Sequence, residues 1–135
     1  MKSFTKYIMV VFLWLGLVIF GPNTSKGQDP VKVAPKHYKV LLENERVRVL
    51  EITYKPGEKA AMHSHPATVN YYLGNFKAKF TFPDGKTADI EGKKGLAEWH
   101  EAFTHAAENI DTTEIHLIAV ELKEPVKKLQ KETKK

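Results

Sequence analysis

In Phe76-Lys77-Ala78-Lys79-Phe80-Thr81-Phe82 every even position is apolar and every odd position is polar. Successive side chains of a strand point to opposite faces, so this segment reads as a strand with one buried and one wet face. No stretch after residue 27 carries a convincing apolar period of 3.6 residues. Tyr38–Leu42 and Val47–Tyr54 are rich in β-branched and aromatic residues, and Val69–Leu73, Thr87–Glu91 and Glu114–Leu122 continue the texture. Pro56-Gly57, Gly74-Asn75, Pro83-Asp84-Gly85 and Gly92-Lys93-Lys94-Gly95 punctuate it. Turn signals at intervals of about eight to twelve residues predict an all-β barrel or sandwich.

The two ends differ from this body. Lys2 and Lys6 precede the apolar run Tyr7–Phe20, which is interrupted only by Gly16. Gly21-Pro22-Asn23 then breaks it, and Ser25 and Gly27 put small residues at −3 and −1 of a cleavage point before Gln28. That is the anatomy of a secretory signal peptide over 1–27, and the run is shorter than the roughly 20 residues of a spanning helix. The expected product is exported to the periplasm or outside the cell, with no stable membrane span after processing. Residues 28–41, with Pro30 and Pro35, are expected to be an extended N-terminal segment. Residues 42–123 are expected to form the β-barrel domain, and 124–135 a Lys-rich, solvated tail.

Charge and cysteine content narrow the function classes. The net charge of +5 comes from the ends, because residues 28–122 hold 12 basic and 14 acidic side chains. A domain that neutralises phosphates carries its positive charge on the folded face, so nucleic acid is not an expected partner. The chain has no cysteine, which excludes a disulfide scaffold, an iron–sulfur cluster and a thiol nucleophile.

Six histidines remain. His63 and His65 form an H-x-H pair, and on a strand such a pair presents two imidazoles to one face. Two surface histidines would look the same. His105 follows about forty residues later in Thr104-His105-Ala106-Ala107-Glu108-Asn109, a separation that a strand and a hairpin can close. Three imidazoles that meet suit one divalent ion, and imidazole alone does not select among iron, manganese, nickel and zinc. His37 and His116 have no such partners in sequence and read as structural.

With those residues the chain resembles the cupin superfamily. Gly57, five residues and His63-Ser64-His65 match the opening of the first cupin motif. His105 with Asn109 four positions on matches the second, and Gly95 is similar to the glycine that opens it. The resemblance covers roughly Leu42 to Lys123 and is closest in style to small single-domain bacterial cupins. It implies a jelly-roll β-barrel, a metal held by His63, His65 and His105, a small-molecule ligand or substrate, and a homodimer. The carboxylate that the family often adds would fall at Val69 or Asn70, neither of which is acidic, so the ligand set is reduced to three histidines. The Pro of the second motif is also missing.

Around this set, Asn70, Tyr72, Glu98 and His100 are candidates for groups that surround the ion or line the ligand pocket. Glu98 and His100 are expected in an exposed loop, and would share a face if that stretch were extended. Tyr71, Tyr72, Phe80, Trp99 and Phe103 are expected to fill the barrel. Two functions stay open. One is a metal-dependent enzyme of dioxygenase-like or isomerase-like type, and the other is a non-catalytic module that binds or senses a sugar or an organic acid.

Overall fold

Alternation along nine strands sorts the side chains into two sheets that face each other. The computed structural model describes residues 27–123. The signal peptide expected over 1–27, apart from Gly27, and the tail 124–135 lie outside them. A short helix α1 (Pro30–Val33) precedes β1 (Tyr38–Glu43), β2 (Val47–Tyr54), β3 (Lys59–His65), β4 (Thr68–Tyr72), β5 (Phe76–Thr81), β6 (Thr87–Gly92), β7 (Ala97–His100), β8 (Phe103–Asn109) and β9 (Ile115–Leu122). One sheet runs β1-β2-β9-β4-β7 and the other β3-β8-β5-β6. The strand pairs are antiparallel, as the expected jelly-roll barrel requires.

The strand interiors obey the period-2 pattern. On β9, Ile115, Leu117, Ala119 and Glu121 point inward, and on β2 Leu50, Ile52 and Tyr54 do the same. Across the gap, Phe76 and Ala78 of β5 and Ala107 of β8 complete the core. Leu50 is fully buried, and removing a side chain of that size from water contributes about 2 kcal/mol. The Phe76 ring fills the space beside its cross-strand partner Gly92, where a Cβ would come within 2.1 Å of it. The turn Lys55-Pro56-Gly57-Glu58 is closed by Glu58 N donating to Lys55 O at 3.0 Å, with Gly57 at φ 79°, a conformation that favours glycine.

Three expectations are corrected. The segment 28–41 is not extended throughout: Asp29 caps α1 by accepting from Val31 N at 3.0 Å, and Pro30 supplies the preset φ of a first helical residue. Its last residues belong to β1, which pairs with β2 from Tyr38 onward. Glu98 and His100 are not in a loop but on β7, paired with Asn70 and Thr68 of β4. Tyr71 and Trp99 do not fill the barrel. On β4 residues 68, 70 and 72 face inward, so Tyr71 faces out, and Trp99 is 52% exposed.

One irregularity decides what the barrel contains. On β3, Ala60 pairs with Ala107, but the next pair is His63 with His105, so Ala61 and Met62 together oppose Ala106. This bulge shifts the strand's phase by one residue. Ala60 is buried, Ala61 and Met62 are exposed, and His63 and His65 then turn inward. Unbroken alternation from Ala60 would have buried Met62 and Ser64 instead.

Candidate metal centre

His63 and His65 on β3 and His105 on β8 are buried, and one ring nitrogen from each lies within 4.8 Å of the others. The bulge supplies the first two and the direct pairing of His63 with His105 the third. Each imidazole has its own arrangement of partners. His63 Nδ1–H donates to Ala61 O inside the bulge at 2.7 Å, which leaves Nε2 with its lone pair. That lone pair accepts from the Tyr38 hydroxyl at 2.8 Å, and Tyr54 donates in turn to Tyr38 at 2.8 Å. His65 Nδ1–H donates to Glu121 Oε1 at 2.8 Å, which leaves its Nε2 for the interior. His105 has no partner at either nitrogen among the described residues.

The electrostatics favour neutral, ligating rings. Burial pushes the pKa of His105 far down, and the neighbouring His63 and His65 push it further. Burial likewise lowers His63 to about 4, with His65 adding to the shift. Both rings are therefore unprotonated at neutral pH. A buried imidazole with two unpaired nitrogens is costly by itself, and a bound cation relieves that cost. The donor set is compatible with a divalent metal ion.

Glu121 is the acidic group that the motif comparison did not place. It is 1% exposed, and its second oxygen accepts from Arg48 Nε at 2.6 Å. Burial raises its carboxyl pKa, but the bonds from His65 and Arg48 outweigh this and hold it below the usual range. Arg48 also reaches Asp29 Oδ2 at 3.1 Å, so the cap of α1 is tied through Arg48 and Glu121 to His65. A carboxylate behind a histidine fixes the ring's tautomer and orientation and raises its basicity as a ligand. The signal for it was available, since Glu121 is in phase with Ile115, Leu117 and Ala119.

Beyond the histidines the barrel holds a cavity of about 60 Å³, walled by Ile52, Phe76, Phe80, Phe103 and Leu117 among others. Asn70, Tyr72 and His100 line it, and so do His65 and His105. Glu98 stands behind them, where its Oε2 accepts from the Tyr72 hydroxyl at 2.7 Å. His100 Nε2 lies 3.4 Å from the same hydroxyl. Burial and the Glu98 carboxylate together raise the Tyr72 pKa, so the hydroxyl stays protonated. Thr68 Oγ1 and Asn70 Oδ1 are buried without a hydrogen-bond partner among the described residues. His37 and His116 stand apart, as expected. His37 Nδ1–H donates to Thr53 O at 2.9 Å, and His116 Nε2 lies 3.1 Å from Glu51 Oε1.

Comparison with known proteins agrees with this architecture. No protein-family model matches the sequence, and no curated protein matches it either. Among solved structures, a cupin domain from Bordetella pertussis superposes with a TM-score of 0.60 at 25% identity, over 64% of this chain and 92% of that one. A protein with a double-stranded β-helix domain from Klebsiella pneumoniae matches with a TM-score of 0.50 at 21% identity, over 62% of this chain and 72% of that one. An RmlC-like cupin family protein with a double-stranded β-helix fold, from Methanocaldococcus jannaschii, matches with a TM-score of 0.50 at 16% identity, over 63% and 77%. With its two antiparallel sheets and the motif residues brought together between them, the chain is a small cupin-domain protein.

Proposed function

We propose that this cupin is exported, holds one divalent ion on His63, His65 and His105, and acts on a small molecule in the adjoining cavity. The observation that carries the reading is His105, buried with two unpaired nitrogens beside two other inward imidazoles. Iron, manganese, nickel or zinc all suit three imidazoles. The ion would supply Lewis-acid or redox chemistry of a dioxygenase-like or isomerase-like kind. The chain's own residues do the rest. Glu121 orients His65, the Ala61 carbonyl orients His63, and the apolar wall excludes water from the ligand. The Tyr38 hydroxyl sits on the lone pair that His63 would offer, so an ion that binds there replaces that hydrogen bond.

Elemental analysis of protein purified without a tag or added metal tests this. Metal content near one ion per chain is expected in the wild type, with sharp loss on replacing any one of the three histidines by Ala. A chelator should lower the melting temperature of the wild type and not of His105→Ala, because an ion at about 1,000 times its Kd adds roughly 4 kcal/mol to the native state. Equal metal content in the wild type and in His63→Ala/His65→Ala would refute the site. The non-catalytic reading, a module for an organic acid or a sugar, uses the same cavity, and oxygen consumption or turnover with bound ligand separates the two.

A further inference from the structure

The wall of the cavity opposite the histidines is not wholly apolar. Thr68 and Asn70 stand two apart on β4 and so share its inward face, and both Thr68 Oγ1 and Asn70 Oδ1 are buried and unpartnered among the described residues. Tyr72, two residues on along the same inward face, gives its only hydroxyl proton to Glu98, so its oxygen is left as an acceptor and offers Asn70 Oδ1 no proton. The Asn70 oxygen is thus left to the cavity that the residue lines. An unpaired buried acceptor loses its hydration with nothing in return, and a ligand donor restores it.

We propose that Asn70 and Thr68 form a subsite for the hydroxyl group of a short hydroxylated carboxylate. This deepens the proposed function and rests on it at one end. An ion held by three neutral imidazoles keeps its positive charge and favours an anionic oxygen. The apolar wall takes the carbon chain, and Asn70 Oδ1 accepts from the distal hydroxyl, with Thr68 Oγ1 beside it. The size fits. A cavity of about 60 Å³ has room for about five water-sized groups. Facing sheets lie about 10 Å apart, so imidazole on one side and amide on the other leave space for about three carbons.

3-Hydroxypropionate and butyrate test it, because they have the same length and differ only by hydroxyl against methyl. Calorimetric titration of the metal-loaded wild type should show 3-hydroxypropionate bound about tenfold more tightly, the effect of one buried hydrogen bond. Asn70→Leu should abolish or reverse that preference while leaving metal content unchanged. Thr68→Val, which keeps shape and loses the hydroxyl, should reduce it and serves should Asn70→Leu fail to fold. Equal affinity for the two probes in the wild type, or a preference that survives Asn70→Leu, would mean that ordered water serves these acceptors and would overturn the inference. The same pair is titrated into metal-free protein. A protein that takes up no metal would defeat the proposed function, whereas the probe preference there still decides the subsite.

Discussion

Acid should unfold the metal-free protein well before its carboxylates titrate. In the unfolded chain His63 and His105 take up a proton near pH 6.5, whereas in the native barrel burial pushes His63 down to about 4 and His105 lower still. Between these values the unfolded state binds two protons that the native state does not, so stability is full above about pH 6.5 and falls as the pH drops. Each such histidine contributes a little over 1 kcal/mol per pH unit, which makes roughly 3 kcal/mol per unit for the pair. From pH 6.5 to 4.5 the loss comes to about 5 kcal/mol, comparable with the whole stability of many domains. The depressed carboxyl of Glu121 adds a loss of the same direction only once the pH falls into the ordinary carboxylate range, so above about pH 5 the slope belongs to the histidines. Urea unfolding followed by circular dichroism at half-unit steps from pH 7 to 4.5 reads the slope. His105→Phe should roughly halve it. A free energy of unfolding that stays level from pH 6.5 to 5 in the chelated wild type would refute the argument that these rings are held neutral by burial.

Glu121→Ala leaves the Arg48 charge buried without its main partner and His65 without an orienting acceptor, so a loss of about 3–5 kcal/mol in stability and of 10–100-fold in metal affinity is expected. Glu121→Gln keeps the shape and should cost less on both counts, which denaturant titration and a competitive chelator assay would show. Export predicts that the natively secreted protein begins at Gln28, and intact mass measures this directly. The full-length chain recovered from the membrane fraction would contradict it.

Much of the architecture was legible because period two is a strong signal wherever one face of a strand is buried. Ile115–Leu122 follows it without a break, and Phe76–Ala78 opens β5 the same way. The meeting of His63, His65 and His105 was legible through spacing, yet the reason those histidines face inward was not. Plain alternation from Ala60 points His63 outward, and the bulge that reverses it has no composition of its own in Ala61-Met62. Glu98 and His100 read as an exposed polar loop, whereas pairing with Asn70 and Thr68 of β4 makes Ala97–His100 a strand. Glu121 was overlooked because the search for a carboxylate followed a spacing between motifs rather than the inward phase of the last strand. Tyr38 and Tyr54 reach the site through a contact between the sheets, and nothing local in sequence announces it.

Because two residues of β3 face one residue of β8, the centre is encoded by chain length as much as by residue identity. Loss of either Ala61 or Met62 alone would only remove the bulge and leave the imidazoles inward. Loss of both would put His63 directly after Ala60, so that plain alternation swings both imidazoles to the solvent side and presents Ser64 to the interior. Every histidine would still be in the sequence, and the barrel could still close around an apolar core. Such a chain would read as metal-binding by its letters and be apolar by its geometry. In this fold, gain or loss of the centre can therefore occur through an insertion or deletion that touches no ligand. Counting residues between Gly57 and the H-x-H pair carries more information about function than the pair alone.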